Sequence, residues 1–357
     1  MSITTPLTKI FGIKHPVILA GMNVVSHPTL AAAVSNAGGL GVIGGHGYTP
    51  AMLREQISDL KSHLARPDLP FGVDLLIPQV GGSARKTNYD YTKGTLPELV
   101  EIIIDSGAKL FVSAIGVPPK VIVDKLHQNG IYVMNMIGHP KHVRKALEAG
   151  VDIICAQGTE GGGHTGSTPT SILIPQVVQL VKGHKMPLTG EPILVVAAGG
   201  INDGKSLAAA LMYGASAVWI GTRFICAKES GAPKDHQDAV LKAGYDDTIR
   251  TVIFTGRPLR VLKNPYIMNW EENRQEDIKR FTSQGIIPCD KDLEDAEKSG
   301  LEVSQETYDN SRPFLMGEVA AAITEIQPAK QIVEEIVAEA VEQLKQAQGF
   351  LGGKSKL

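Results

Sequence analysis

Residues 193–224 of the chain read ILVVAAGGINDGKSLAAALMYGASAVWIGTRF. This stretch contains two short apolar runs, Ile193–Gly200 and Ala217–Phe224, separated by a segment, Lys205–Tyr213, whose apolar residues recur at helical spacing. Both runs are too apolar to be half exposed, which is typical of parallel strands covered by helices. The stretch therefore predicts a strand–helix–strand unit with parallel strands.

The same unit recurs along the first two thirds of the chain and gives eight predicted strands. Eight parallel strands within residues 16–224 fit a closed (β/α)8 barrel, a TIM barrel of the α/β class, whose usual size is about 250 residues. The other predicted strands are Pro16–Met22, Gly39–Gly45, Phe71–Ile77, Leu110–Gly116, Tyr132–Gly138 and Ile153–Gly158. The other predicted helices are Thr29–Asn36, Ala51–Leu64, Leu96–Ser106, Lys120–Gln128, His142–Ala149, Ser171–Val181 and Gln237–Ala243.

The pattern changes after the last predicted strand, and the chain divides into four predicted parts. Residues 1–245 form the barrel, and residues 246–328 form a lid or cap extension whose segment 247–317 is expected to be polar and irregular. Residues 329–351 carry an apolar stripe at helical spacing, which predicts a C-terminal helix that packs on the barrel. Residues 352–357 form a flexible tail.

Composition excludes two classes of partner. The formal net charge is −2 with no long basic run, so we expect no nucleic-acid surface. No stretch approaches the roughly 18 consecutive apolar residues of a membrane span. The cysteines, Cys155, Cys226 and Cys289, are widely spaced, and we expect them to be free thiols in a reducing compartment.

The chain ends in Ser355-Lys356-Leu357, the tripeptide read by the peroxisomal import receptor. Gly352 and Gly353 precede it and would leave the tripeptide accessible. We therefore predict a peroxisomal location with the import receptor as a partner if the source is a eukaryote, and a cytoplasmic location if it is bacterial.

Gly39-Leu40-Gly41-Val42-Ile43-Gly44 matches the GxGxxG fingerprint of dinucleotide-binding folds. That fingerprint requires its glycines at a turn between a strand and a helix. Here the glycines lie inside an apolar run, and the next helix begins only after Pro50. The sequence therefore disfavours a Rossmann fold.

Glycines follow both strands of the opening stretch. Backbone N–H groups freed by such glycines can surround an anion, and a helix N-terminus adds partial positive charge. A phosphate site in the loops after strands seven and eight recurs among TIM barrels. The sequence predicts a phosphate group at the glycine-containing ends of these two strands, belonging either to flavin mononucleotide or to a sugar-phosphate substrate.

The sixth strand leads into AQGTEGGGHTGS, residues 156–167, in which glycines surround one histidine. Glycines are costly in backbone entropy, so this loop is expected to need unusual dihedral angles or a close approach to a ligand. His164 is the side chain in this loop with acid–base chemistry near neutral pH. His139 and His142 lie close together after the fifth strand but have no acidic or sulfur partner nearby, so we predict no metal site.

GGLGVIGG, AQGTEGGGHTG, AAGGINDG and IGTRF, in this order and spacing, resemble motifs of the nitronate monooxygenase family, formerly called 2-nitropropane dioxygenases. The resemblance covers about residues 6–230 and weakly GEVAAAITEI, which begins at Gly317. It implies a barrel that binds FMN non-covalently and places His164 at the catalytic histidine. It also implies that the cofactor contacts are Gly21, Met22, Asp74, Gln157, Gly162, Gly163, Gly199, Gly200, Gly221 and Thr222. Many relatives have asparagine at the position of Asp74, which makes the redox tuning the uncertain part of the assignment.

Three functions remain open from the sequence. The leading hypothesis is an FMN-dependent oxidation of alkyl nitronates, and also of nitroalkanes, with O2, giving carbonyl compounds and nitrite. His164 would act as the base towards a neutral nitroalkane or, when protonated, would hold the anion. The alternative is an NAD(P)H-dependent flavin reductase of quinones or enoyl thioesters. A flavin-binding protein without catalytic activity is the third.

Overall fold

A barrel of eight parallel strands forms the centre of the computed structural model, which describes residues 2–298 and 311–351. The strands pair in the order β1-β9-β8-β6-β5-β4-β3-β2, and a bridge between Ile18 and Leu40 joins the first strand to the second. This arrangement confirms the predicted TIM barrel. The barrel strands are β1 (Val17–Leu19), β2 (Gly41–Gly45), β3 (Phe71–Leu76), β4 (Leu110–Ala114), β5 (Tyr132–Ile137), β6 (Ile153–Gln157), β8 (Leu194–Ala198) and β9 (Ala217–Ile220).

Helices cover the outside of the barrel and turn their apolar faces towards it. In α4, for example, Leu99, Val100, Ile102 and Ile103 are buried and belong to the main core. The helices of the barrel region are α1 (Pro6–Phe11), α2 (Pro28–Asn36), α3 (Pro50–His63), α4 (Leu96–Ser106), α5 (Lys120–Gln128), α6 (Val143–Ala149), α7 (Thr170–Val181), α8 (Gly204–Met212), α9 (Thr222–Ile225) and α10 (Lys234–Lys242).

The glycines of the GxGxxG match allow neighbouring backbone segments to pack closely. Gly41 lies in β2, and a Cβ atom there would stand 1.9 Å from the carbonyl oxygen of Ala31 in α2. Gly39 is similarly close to the carbonyl of Val17. These glycines allow a helix to lie against the strand, and the structure agrees with the rejection of a Rossmann fold.

The eighth predicted strand is too long. The run Ala217–Phe224 was predicted as one strand, but β9 ends at Ile220 and α9 begins at Thr222. The residues of α9 are all buried, so their apolar character reflects burial of a helical turn. Apolarity alone does not separate a buried strand from a buried helix.

The extension has regular structure where irregular structure was expected. β10 (Thr248–Thr251) and β11 (Leu259–Leu262) form an antiparallel hairpin, so the prediction of an irregular segment is wrong for the described residues from 248 to 298. Its three helices are α11 (Pro265–Asn273), α12 (Gln275–Gln284) and α13 (Pro288–Lys298). Ile253, Leu259, Val261, Ile267, Trp270 and Ile278 form a small separate core, which stabilises the extension.

The extension joins the barrel through the glycine-rich loop. β11 pairs antiparallel with β7 (Gly163–His164), placing Leu259 opposite His164 and Arg260 opposite Gly163. The boundary predicted at residue 245 falls between α10 and this hairpin. The loop that contains the histidine is thus one strand of a small sheet at the carboxyl end of the barrel.

The C-terminal helix, Ala329–Gly349, packs against α8 and α2 on the outside of the barrel. The tail with Ser355-Lys356-Leu357 lies outside the described residues, and its role as a peroxisomal address stays a prediction. Among the helices of the described ranges, none has the length and apolarity needed to cross a membrane.

Candidate active site

A cavity of about 1890 Å³ lies at the carboxyl ends of the barrel strands, beneath the extension. The side chains and glycines predicted for the site come from the ends of β1, β3, β6, β8 and β9. The cavity brings all of them together: Gly21, Met22, Asp74, Gln157, Gly162, Gly163, His164, Gly199, Gly200, Gly221 and Thr222.

One wall of the cavity is made of backbone. Gly199 and Gly200 have φ angles of 92° and 71°, which side chains rarely adopt. The N–H groups of Gly199, Gly200, Gly221 and Thr222 donate no hydrogen bond to another part of the chain within the described ranges. We call the five residues Gly162, Gly163, Gly199, Gly200 and Gly221 the glycine wall; the free amides of Gly199, Gly200 and Gly221 suit an anion.

The helix that follows β8 does not contribute its N-terminus to this wall. Asp203 caps α8 by accepting a hydrogen bond from the amide of Ser206, and Glu339 accepts one from the amide of Gly204 at 2.7 Å. Two carboxylates therefore already occupy the positive end of α8. An anion at the glycine wall would be held by the loop amides themselves.

The glycine-rich loop is held from three sides. Gln157 donates from Nε2 to the carbonyl of His164 at 3.0 Å, and Arg260 donates from Nε to the carbonyl of Thr159 at 3.0 Å. A Cβ atom on Gly162 would lie 2.6 Å from the backbone of Met316. Gln157, a predicted cofactor contact, thus also fixes the loop. The absence of a side chain at Gly162 allows the backbone of Met316 to pack against the loop.

The weakly similar segment that begins at Gly317 meets the site directly. The amide of Gly317 donates to the hydroxyl of Thr222 at 3.0 Å, and a Cβ atom on Gly317 would lie 2.6 Å from the carbonyl of Glu160. Arg260 also forms an ion pair with Glu318 at 2.8 Å. These contacts fix the part of the site that follows β9, around Gly221 and Thr222.

His164 faces the cavity from β7. Its Nε2 atom lies 3.0 Å from the hydroxyl oxygen of Thr255, in the turn that joins β10 to β11. Burial, together with the positive charge of Arg257 and the nearby His46, lowers the pKa of His164 to about 4. The imidazole is therefore neutral at pH 7, which disfavours the hypothesis that a protonated His164 holds an anion.

Arg257 supplies the positive charge that His164 lacks. Its guanidinium donates to Asn88 Oδ1 at 3.0 Å and to the carbonyl of Ile115, and it forms no ion pair with a carboxylate of the described chain. Ile115 has a φ of 57°, unusual for a β-branched residue. A partly buried guanidinium without a carboxylate beside it is suited to an anionic ligand.

Thr255, Arg257 and Arg260 were not predicted from the sequence. They lie in TIRTVIFTGRPLRVL, residues 248–262, where β-branched residues flank a Gly-Arg-Pro turn. That pattern is a hairpin signal that was available in the sequence. The pairing of this hairpin with a loop a hundred residues away was not, because no local pattern encodes it.

Asp74 lies on β3 at the barrel axis and is only 4% exposed. Its carboxyl group packs on Gly21, where a Cβ atom would lie 2.4 Å from Oδ2, and Oδ1 has no partner among the described residues. Burial raises the pKa of Asp74 well above its ordinary value. A neutral carboxyl group can both donate and accept a hydrogen bond.

Two pairs of histidine and aromatic contacts lie at the cavity. His46 lines it and packs edge-on against Tyr91 at a ring distance of 4.5 Å, while the ring of Tyr89 is tilted against that of Tyr91. His139 and His142 have ring centroids 6.1 Å apart. No metal-binding group of three or more histidine, cysteine or acidic side chains occurs in the described ranges.

The chain was compared with known proteins. The model of a family described as nitronate monooxygenase matches residues 4–339. A (3aS,4S,5R,7aS)-5-hydroxy-7a-methyl-1-oxo-octahydro-1H-indene-4-carboxyl-CoA dehydrogenase of Mycobacterium tuberculosis is 31% identical over 98% of this chain and 100% of its own. A probable nitronate monooxygenase of Staphylococcus saprophyticus is 31% identical over 77% of this chain and 83% of its own. The structure of a nitroalkane oxidase from Streptomyces ansochromogenes is similar with a TM-score of 0.76 and 27% identity, over 96% of this chain and 99% of its own.

Proposed function

The chain belongs to the nitronate monooxygenase family and is a flavin-dependent oxidoreductase, and from this premise we propose that it binds FMN and oxidises alkyl nitronates with O2 to carbonyl compounds and nitrite. The observation that carries the proposal is one cavity in which a backbone anion site, a neutral histidine and an unpaired arginine meet. FMN, when bound, supplies the electron acceptor for the nitronate.

The residues at the ends of β1, β3, β6, β8 and β9 fit the cofactor. The free amides of Gly199, Gly200, Gly221 and Thr222 would hold the phosphate. The partnerless Oδ1 of Asp74 would meet the polar edge of the ring system, with Gly21, Met22 and Gln157 beside it.

His164 and Arg257 would have different roles towards the substrate, proton transfer and anion binding. The neutral imidazole can accept a proton from a nitroalkane, but a pKa of about 4 makes it a weak base. Arg257 would bind the nitro oxygens of a substrate that arrives already as the anion. The nitronate is therefore the preferred substrate, and the neutral nitroalkane is a slower one.

The experiment is an aerobic assay of the FMN-loaded protein with propane 2-nitronate and with 2-nitropropane. The proposal predicts nitrite release and O2 consumption with both, and a higher kcat/KM for the nitronate. If the yellow protein releases no nitrite from either compound, the proposed reaction is wrong.

A second candidate is supported by the size of the cavity. At about 1890 Å³ it exceeds the usual range of about 300–1,000 Å³ for ligand pockets, so FMN and a small nitronate would leave much of it unfilled. One relative acts, by its name, on a carboxyl-CoA compound. The alternative function is therefore that of a flavin enzyme that uses NAD(P)H to reduce an enoyl thioester.

A further inference from the structure

The cavity has a second wall of positive charge, of which the nitronate reaction uses only Arg257. Lys141 and His142 lie in a short 3-10 turn between β5 and α6, and Lys145 lies in the first turn of α6; all three line the cavity together with Arg85 and Arg257. We call these five residues the basic wall. They lie within electrostatic reach of one another, because Lys141, Lys145 and Arg257 contribute to the lowered pKa of His142, after burial, and Arg85 to the lowered pKa of Arg257.

The positive charge of this wall is not neutralised. The Nζ atoms of Lys141 and Lys145 and the guanidinium of Arg85 make neither an ion pair nor a hydrogen bond within the parts of the chain that are described. Arg144, on the same helix, pairs instead with Glu148 at 2.7 Å. Like charges placed together without carboxylates repel one another, and this costs stability unless an anion binds.

The acidic residues of the cavity lie elsewhere. Asp74 lies on β3 beside Gly21, and Asp290 lies in α13 of the extension. Asp235 lies in the first turn of α10, where its carboxylate accepts a hydrogen bond from the amide of His236. None of the three forms an ion pair with the basic wall.

The position of the charges indicates the shape of the ligand. Lys141, Lys145 and Arg85 are exposed, whereas His164 is only partly exposed and its imidazole is in contact with Thr255 of the extension. A ligand that uses both must carry its phosphates at one end and its reacting group at the other, joined by a long uncharged arm. Coenzyme A thioesters have this construction: a diphosphate and a 3′-phosphate are separated from the acyl group by the pantetheine chain.

We propose that the basic wall binds the phosphorylated nucleotide end of a coenzyme A thioester, whose acyl group then lies between His164 and the flavin. This inference rests on the second candidate function above, because it requires a thioester substrate. Reduced nicotinamide dinucleotides also carry a diphosphate, but their reacting ring must stack on the flavin and is joined to the phosphates by a short ribose.

The test measures binding of free coenzyme A to the FMN-loaded protein by isothermal titration calorimetry at low and at high salt. We expect the double variant K141A/K145A to bind coenzyme A about tenfold or more weakly than the parent, because two exposed charge–phosphate contacts are lost. The matched control is Arg144→Ala, which removes a charge from the same helix that is already paired with Glu148; its affinity should stay within about twofold. Affinity should fall with salt because exposed charges are screened.

Three outcomes would overturn the inference: no binding of coenzyme A, equal losses in K141A/K145A and R144A, or tighter binding of NADPH than of coenzyme A with the same loss in the double variant. Thermal unfolding of each variant separates misfolding from lost affinity. Nitrite release is measured on the same preparations, so failure of the nitronate reaction is seen separately from failure to bind coenzyme A.

Discussion

The glycine wall and the basic wall line the same cavity but are built differently. The glycine wall consists of backbone from loops that follow neighbouring barrel strands, and Gln157, Thr222 and Arg260 hold it in place. The basic wall consists of long side chains from three separate elements, most of them exposed. The first wall suits a single cofactor in one position, and the second can adapt to different substrates. Variants on the two walls should therefore affect different steps.

The largest effect is expected at His164, which lines the cavity and lies within electrostatic reach of Arg257. His164→Asn should lower kcat/KM for a neutral nitroalkane by about 10²–10⁴-fold, the usual contribution of a general base, while FMN stays bound. The loss for the nitronate should be smaller, because no proton has to be removed from it. Nitrite release and the visible flavin absorbance measure the two quantities.

The matched control for this variant is His139→Asn, a histidine that lines the same cavity and whose Nδ1 accepts from the amide of Lys141. Asparagine can keep that contact. If the His164 variant turns over the nitroalkane at a rate within tenfold of the parent, His164 is not the general base.

Gly199→Ala should weaken FMN binding by about 10- to 100-fold. A side chain at a φ of 92° is strained, and its Cβ would stand 2.9 Å from the carbonyl of Gly158; such strain costs about 1–3 kcal/mol. Gly107→Ala introduces a similar φ strain, at 76°, without a neighbour within 4 Å and outside the cavity. Fluorescence titration of apoprotein with FMN should separate the two, and equal FMN affinities would contradict the glycine wall.

Arg257→Met should raise KM for the nitronate by about tenfold or more, because a charge-assisted hydrogen bond is worth about 1.5–3 kcal/mol, while the affinity for FMN stays the same. It should also change the pH dependence. Burial, Arg257 and His46 hold the pKa of His164 at about 4, so nitroalkane turnover by the parent should show no inflection from this residue between pH 5 and 8.

Removing the guanidinium removes one cause of the lowered pKa, so the pKa of His164 should rise towards its ordinary value. Turnover by Arg257→Met should then begin to fall at a higher pH than in the parent as the solution is acidified. Arg257→Lys, which retains the charge, is the control. Identical pH profiles for all three proteins would show that Arg257 does not act on His164.

Asp74→Asn should have the smallest effect. Burial raises the pKa of Asp74 well above its ordinary value, which favours the neutral carboxyl group, and an amide is a close substitute for that form. The flavin potential should shift by less than about 30 mV, which corresponds to about 1.4 kcal/mol for a two-electron couple. A larger positive shift in a spectroelectrochemical titration would mean that Asp74 is ionised beside the flavin.

The sequence allowed the barrel and the glycine wall to be predicted because both depend on local patterns. Strand–helix alternation sets the barrel, and the glycines of the wall follow strands directly, as Gly199 and Gly221 do. The pairing of β11 with β7 could not be predicted, since Leu259 and His164 are far apart in the chain and meet only through tertiary packing. Thr255 and Arg257 could not be predicted for the same reason, because they reach the site only through this long-range pairing. The lowered pKa of His164 follows from that burial and has no signature in the sequence.

The most direct measurement of the central claim is an anaerobic titration of the purified FMN-loaded protein, followed by its visible flavin absorbance. One sample receives propane 2-nitronate and the other receives NADH. The account predicts that the nitronate reduces the flavin and that NADH leaves it oxidised. Rapid bleaching by NADH with no response to the nitronate would contradict the nitronate reaction and favour the reductase.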